Sequence, residues 1–345
     1  MKIIIDRDIP YIGGVFEPYA EVVYLKGTAI SARDISEADA LVVRTRTKCD
    51  ERLLSGSRVK MIASATIGFD HIDMDYCATH GIRVATAAGS NARGVLQWIG
   101  AALVYASEMQ GWQPTEKTLG VVGVGHVGTL VAEYALKWGF RVQCCDPPRR
   151  RKEGFCSPAR QFVKLEDVAR QCDIITFHTP LIRQGLDKTY HMAGDCFFGM
   201  INPGTLIINS SRGEVVDSAA LRDSLELSLC STTIDTWEHE PDIDRRLLEL
   251  SMLATPHIAG YSAQGKANAT SMSVQAIARE FGLPLTDWYP SSEIPVTTPR
   301  PICWDELRRT IHGYLNIETQ SRMLKSHPEN FETLRNTYIY RQEYF

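Results

Sequence analysis

Arg212, Glu240 and His257 are the residues of this chain whose types and order could do chemistry together. Arg212 follows an apolar run in Asn209-Ser210-Ser211-Arg212-Gly213. Glu240 stands before a proline in Trp237-Glu238-His239-Glu240-Pro241, and His257 lies in Thr255-Pro256-His257-Ile258-Ala259-Gly260-Tyr261. Taken singly, each has a structural explanation: a surface arginine after a strand, an acid capping a turn, a packed imidazole. Together they supply what the oxidation of an alcohol to a ketone requires. An imidazole can take the hydroxyl proton, because it titrates near neutral pH. A neighbouring carboxylate favours the imidazolium and so makes the ring more basic. A guanidinium can grip a carboxylate with two hydrogen bonds and stabilise negative charge on the reacting oxygen. The roles expected are His257 as acid/base, Glu240 as its partner, and Arg212 as substrate anchor and polariser.

Such an oxidation also needs a hydride acceptor, and the chain carries a site for one upstream. In Thr118-Leu119-Gly120-Val121-Val122-Gly123-Val124-Gly125-His126-Val127-Gly128 a buried strand runs into a glycine turn and a helix start. Gly123, Gly125 and Gly128 form G-x-G-x-x-G, the dinucleotide-binding spacing. The first glycine makes the turn, the second lets backbone approach a pyrophosphate, and the third brings helix close to strand. The free N–H groups at the helix start, around His126 and Val127, then receive phosphate. Asp146 follows 18 residues after Gly128, at the end of the next strand. A carboxylate there accepts from the ribose hydroxyls and repels a 2′-phosphate, which favours NAD over NADP. Arg149, Arg150 and Arg151 could hold a 2′-phosphate or stack on adenine, but read more simply as a solvated basic turn; the cofactor expected is NAD.

These residues must be held at the ends of strands, and the chain has the strands to do it. Runs at Lys2–Asp6, Glu21–Leu25, Ala40–Arg44, Met61–Ala65 and Arg83–Thr86 alternate with short helical stretches. Strands at Arg141–Cys145, Asp173–Pro180, Gly204–Asn209 and Ser231–Ile234 follow the glycine loop. Nearly continuous Val, Ile, Ala and Leu is the mark of strands buried on both faces, so the fold class is α/β with two doubly wound parallel sheets. The expected division is a split first domain, flavodoxin-like, of residues 1–90 and 258–288, and a Rossmann domain of 91–257. A proline-rich, linker-like stretch and an aromatic helical tail from Phe331 to Phe345 follow, within 289–345.

Composition narrows the class. The chain has 345 residues, 44% hydrophobic and 23% charged, with a net charge of −4. That balance gives no support for nucleic-acid or membrane-surface binding. Nine cysteines without a C-x-x-C pair fit reduced thiols in the cytoplasm, with no metal site expected. No apolar run approaches the ~20 residues that span a bilayer.

In their order, Gly123-x-Gly125-x-x-Gly128, Asp146, His178-Thr179-Pro180, Asn209-x-x-Arg212-Gly213, Glu240-Pro241 and Thr255-Pro256-His257 resemble the D-isomer-specific 2-hydroxy acid dehydrogenase family. The resemblance implies that Arg212, Glu240 and His257 act as described, and that Thr179, Ser211, Asp235 and Gly260 join Asp146 in holding NAD. A narrower likeness, to a branch acting on a phosphorylated 2-hydroxy acid, rests on Val43-Arg44-Thr45 with Lys48, Ala63 to Asp73, Cys145 to Arg149, and Gly260-Tyr261 with Gly265-Lys266-Ala267. It implies substrate contacts from Arg44, Thr45, Thr66 and Tyr261. It also implies a homodimer made through a small C-terminal dimerisation domain, 289–345. The alternatives are a sister enzyme acting on glycerate, phosphoglycerate or lactate, and a non-catalytic NAD-sensing regulator.

Overall fold

A computed structural model of the chain describes residues 1–153, 156–157, 160–296 and 298–345. The chain divides into two compact units, one of Met1–Asn91 with Ser262–Thr297, the other of Ala92–Tyr261 with Thr298–Phe345.

The first unit is built on a five-stranded parallel sheet. Its strands are β1 (Lys2–Asp6), β2 (Glu21–Leu25), β3 (Ala40–Val43), β4 (Met61–Ser64) and β5 (Arg83–Thr86), in the order β2-β1-β3-β4-β5. Side chains alternate across a strand, so Ile3, Ile5 and Val42 enter one core while Ile4, Leu41 and Val43 enter the other. The returning helix, Ala263–Phe281, covers the first of these faces with Val274 and Ile277.

The second unit holds a six-stranded parallel sheet. Its strands are β6 (Thr118–Val122), β7 (Arg141–Cys145), β8 (Ile174–Phe177), β9 (Thr205–Asn209), β10 (Cys230–Ile234) and β11 (Leu253–Ala254), in the order β11-β10-β9-β8-β6-β7. The chain leaves β6 in one direction to β7 and then crosses to β8 on the other side. This reversal opens a crevice at the carboxyl ends of β6 and β8, the place where such sheets take ligand. Every strand expected from the sequence forms, within a residue at each end except β8, which stops at Phe177 instead of running to Pro180.

Three local expectations change. The arginines after Asp146 lie on a helix, Pro147–Glu153, not in a solvated turn. Arg149 is bound back to Glu153 at 2.7 Å and to the Val124 carbonyl at 2.7 Å, and Arg151 pairs with Asp187 at 2.5 Å. The linker-like stretch beyond the prolines contains two helices, Trp304–Tyr314 and Ile317–Ser326. Trp304, Leu307 and Ile311 of the first, Ile317 of the second and Leu315 between them share one core with Trp98, Leu103 and Trp138. The tail, in turn, is helical only over Phe331–Asn336, and then runs without regular structure to a buried Phe345. Among the described residues, no helix is long and apolar enough to cross a membrane.

Candidate active site

The residues singled out from the second unit's sequence gather at the carboxyl ends of its six strands. Gly123 follows β6, Asp146 follows β7, Thr179 follows β8, Ser211 and Arg212 follow β9, Asp235 follows β10 and His257 follows β11.

Sterics explain the glycine loop. Gly123 has φ 85°, and a Cβ there would lie 2.7 Å from the His178 carbonyl oxygen. A Cβ at Gly128 would sit 1.9 Å from the Gly123 oxygen, so helix and strand approach as closely as the fingerprint requires. At Gly125 a Cβ would meet no protein atom within 4 Å. That glycine therefore leaves room for something outside the protein, which fits a pyrophosphate against backbone. The helix His126–Trp138 begins on it with no side chain capping its first N–H groups; Gly125 and His126 are exposed and Val127 half-buried. Asp146 faces this loop, accepting from Val124 N at 2.8 Å and Arg149 N at 2.9 Å. The residues present fit NAD.

His257 and Glu240 form a pair. The ring's Nδ1 lies 2.8 Å from Glu240 Oε2 and 3.0 Å from Oε1. Trp237 N donates to the same carboxylate at 3.0 Å, which fixes it within its own turn. Burial works against the charge on Glu240, yet His257, its hydrogen bond and Arg335 outweigh it and hold the carboxyl below its ordinary range. With Nδ1 turned to Glu240, Nε2 is the ring atom left to exchange a proton.

Beneath this pair lies Asp235, 1% exposed. Its Oδ1 accepts from Thr255 Oγ1 at 2.5 Å and Ile258 N at 2.8 Å, its Oδ2 accepts from Ala259 N at 2.9 Å, and its main-chain carbonyl accepts from His257 N at 2.8 Å. Burial pushes its pKa up, against the pull of His257 and of these hydrogen bonds. Asp235 thus organises the His257 loop, something its position two residues before Trp237 does not reveal.

Arg212 is presented by Asn209, whose Oδ1 accepts from Ser211 N and Oγ and whose Nδ2 donates to the Arg212 carbonyl at 2.9 Å. The next residue, Gly213, packs against the Glu240 turn: a Cβ would fall 2.0 Å from the Trp237 carbonyl carbon. That close approach sets the Arg212 loop against the turn that carries Glu240. Gly260 and Tyr261 continue from the His257 loop, with the Tyr261 hydroxyl accepting from Arg335 Nε at 3.2 Å. Thr179 lies half-buried, beside Gly123.

Arg44, Thr45 and Thr66 belong to the first unit. Thr45 is exposed just beyond β3, and Thr66 Oγ1 lies 2.7 Å from Ser64 Oγ. Arg44 is committed to two carboxylates, with Nε 3.0 Å from the buried Asp6 and Nη2 3.0 Å from Asp8, while Lys48 pairs with Asp50 at 3.1 Å. The expectation that Arg44 contacts substrate did not include these partners.

Fold and loops define the class. The chain belongs to the D-isomer specific 2-hydroxyacid dehydrogenase family, whose NAD-binding domain matches residues 84–259, and it is an NAD-dependent oxidoreductase. Its relatives include the erythronate-4-phosphate dehydrogenase of Bacteroides thetaiotaomicron, 46% identical over 99% of this chain and 97% of that protein. The enzyme of the same name from Porphyromonas gingivalis is 38% identical over 99% of this chain and 94% of its own length. Among solved structures, a D-lactate dehydrogenase from Aquifex aeolicus complexed with NAD and lactic acid shares the fold, with a TM-score of 0.67 at 23% identity, covering 82% of this chain and 96% of that one.

Proposed function

We propose that the chain oxidises the C2 hydroxyl of 4-phospho-D-erythronate with NAD. The products are 2-oxo-3-hydroxy-4-phosphobutanoate and NADH, a step in the making of pyridoxal 5′-phosphate. The observation that carries the chemistry is the 2.8 Å contact of His257 Nδ1 with Glu240 Oε2. Glu240 holds the Nδ1 proton and orients the ring, so Nε2 accepts the proton of the substrate hydroxyl as the C2 hydride leaves. Bound NAD supplies the hydride acceptor, held by the Gly123-to-Gly128 loop and Asp146, with Thr179, Ser211, Asp235 and Gly260 lining the remainder of its site. The imidazolium formed is stabilised by Glu240, and Arg212 grips the substrate carboxylate and polarises the emerging carbonyl.

The substrate assignment is supported by 38–46% identity to erythronate-4-phosphate dehydrogenases along nearly the full chain. On this reading Thr45, Thr66 and Tyr261 touch substrate. Arg44 turns to the phosphate by exchanging Asp8, the exposed one of its two carboxylate partners. A cytoplasmic homodimer completes the proposal. Its support is the apolar surface at Ile339, Tyr340, Tyr314 and Met323 of the C-terminal segment, which a second copy would cover.

The test is NADH formation from NAD and 4-phospho-D-erythronate, followed by absorbance. Turnover dependent on the phosphorylated acid supports the assignment. NAD binding without hydride transfer from any 2-hydroxy acid would make the protein a regulator instead.

A further inference from the structure

The C-terminal segment brings a charge to the catalytic pair that the proposed chemistry does not use. On the helix Phe331–Asn336, Arg335 directs Nη1 to Glu240 Oε2 at 3.5 Å and Nε to the Tyr261 hydroxyl at 3.2 Å. The helix is held in place by Phe331, fully buried in the core beneath it. A second arginine fastens the same loop through its backbone carbonyls. Arg341, 7% exposed, donates to the carbonyls of Ile258 at 3.2 Å and Tyr261 at 2.9 Å, and also to those of Gly94 and Ala259. The chain from 331 onward thus grips both the carboxylate that partners His257 and the loop that follows it.

We propose that Arg335 is a positioning residue that sets the proton affinity of the His257–Glu240 pair. Glu240 Oε2 lies between two cations when the imidazole is protonated, His257 at 2.8 Å and Arg335 at 3.5 Å. The guanidinium keeps Glu240 ionised and opposes the imidazolium charge, so the ring gives up its proton more readily than it would beside Glu240 alone. The other charged and titratable groups facing this cluster are Asp235 beneath His257, and Glu332 and Tyr261 beside Arg335, Glu332 at 3.8 Å. The inference rests on His257 as the acid/base.

The pH dependence of kcat/KM for 4-phospho-D-erythronate separates this from a purely structural role. Arg335→Gln removes the opposing charge, so the acidic limb moves to higher pH by about 0.5–1 unit, the scale of a single charge near a partly solvated site. Arg335→Lys keeps the charge and leaves the limb at its wild-type position. A limb unmoved in Arg335→Gln, or moved equally in both variants, would overturn the inference, since lost packing lowers rates at every pH without shifting it. Should Arg335→Gln not fold, Arg335→Met retains the stem and takes its place. Glu240→Gln is the control and moves the limb to lower pH. If it does not, the pairing itself fails and this inference with it; a response to Glu240→Gln without one to Arg335→Gln overturns the role of Arg335 alone.

Discussion

His257 occupies the left-handed region at φ 56°, where a side chain other than glycine's is strained by about 1–3 kcal/mol. Asp235 offsets that strain by accepting the His257 N–H on its main-chain oxygen and the next two N–H groups on its carboxylate. The ring is thereby aimed at Glu240 by the backbone as well as by its own hydrogen bond. His257→Ala is expected to lower kcat by roughly two to four orders of magnitude, the usual worth of a general base, while the Kd for NAD stays near wild type. Steady-state kinetics together with a NAD titration check this, and a near-normal kcat would remove His257 from the role. The identity of Arg212, Glu240 and His257 as candidates was legible, because each sits in a short segment whose neighbours read as strand or turn. Their support was not. Asp235 to His257 is a link between strand ends, and Arg335 to Glu240 spans 95 residues; no local pattern encodes either.

At the scale of elements, the glycine loop separates folding from binding. A methyl at Gly128 would collide with the Gly123 oxygen at 1.9 Å, whereas one at Gly125 meets only open space. Gly128→Ala should therefore lower the melting temperature of the free protein. Gly125→Ala should leave melting unchanged and weaken NAD, because the added methyl occupies the approach of the pyrophosphate. Thermal melts and NAD titrations of the two variants check the contrast; equal melting losses would contradict it. Strands were the most legible elements, since runs such as Ile3-Ile4-Ile5 and Leu206-Ile207-Ile208 are buried on both faces. The helices Trp304–Tyr314 and Ile317–Ser326 were hidden by the prolines before them. The spacing of Trp304, Leu307 and Ile311 nevertheless places three apolar residues on one helical face. The opposite error occurred beyond Asn336, where aromatic residues read as a helix. Phe345 is held instead by ring contacts with Tyr134 and Trp138.

At the scale of the molecule, stability and function meet at the β8 end of the second sheet. His178 presents its carbonyl to Gly123 and its Nε2 to Thr176 Oγ1 at 3.0 Å, and burial lowers its pKa from 6.5 to about 3. The unfolded chain binds a proton there below about pH 6.5, and the folded chain does not until about pH 3. Unfolding therefore takes up a proton in that window, and this residue's contribution makes the protein less stable as pH falls through it. Denaturant unfolding at several pH values should show a weaker acid loss in His178→Gln than in wild type; parallel curves would contradict it. The two parallel sheets and the NAD cofactor were evident from the chain alone, whereas the order of strands within each sheet was not. The substrate rests on likeness along the whole length together with a few side chains in the first unit, and there the ion pairs of Arg44 with Asp6 and Asp8 were unforeseen. The most direct measurement is accordingly kcat/KM for 4-phospho-D-erythronate beside D-glycerate, 3-phospho-D-glycerate and D-lactate, with NAD saturating. The phosphorylated four-carbon acid should be preferred over all three; a value no higher than that for glycerate would contradict the assignment.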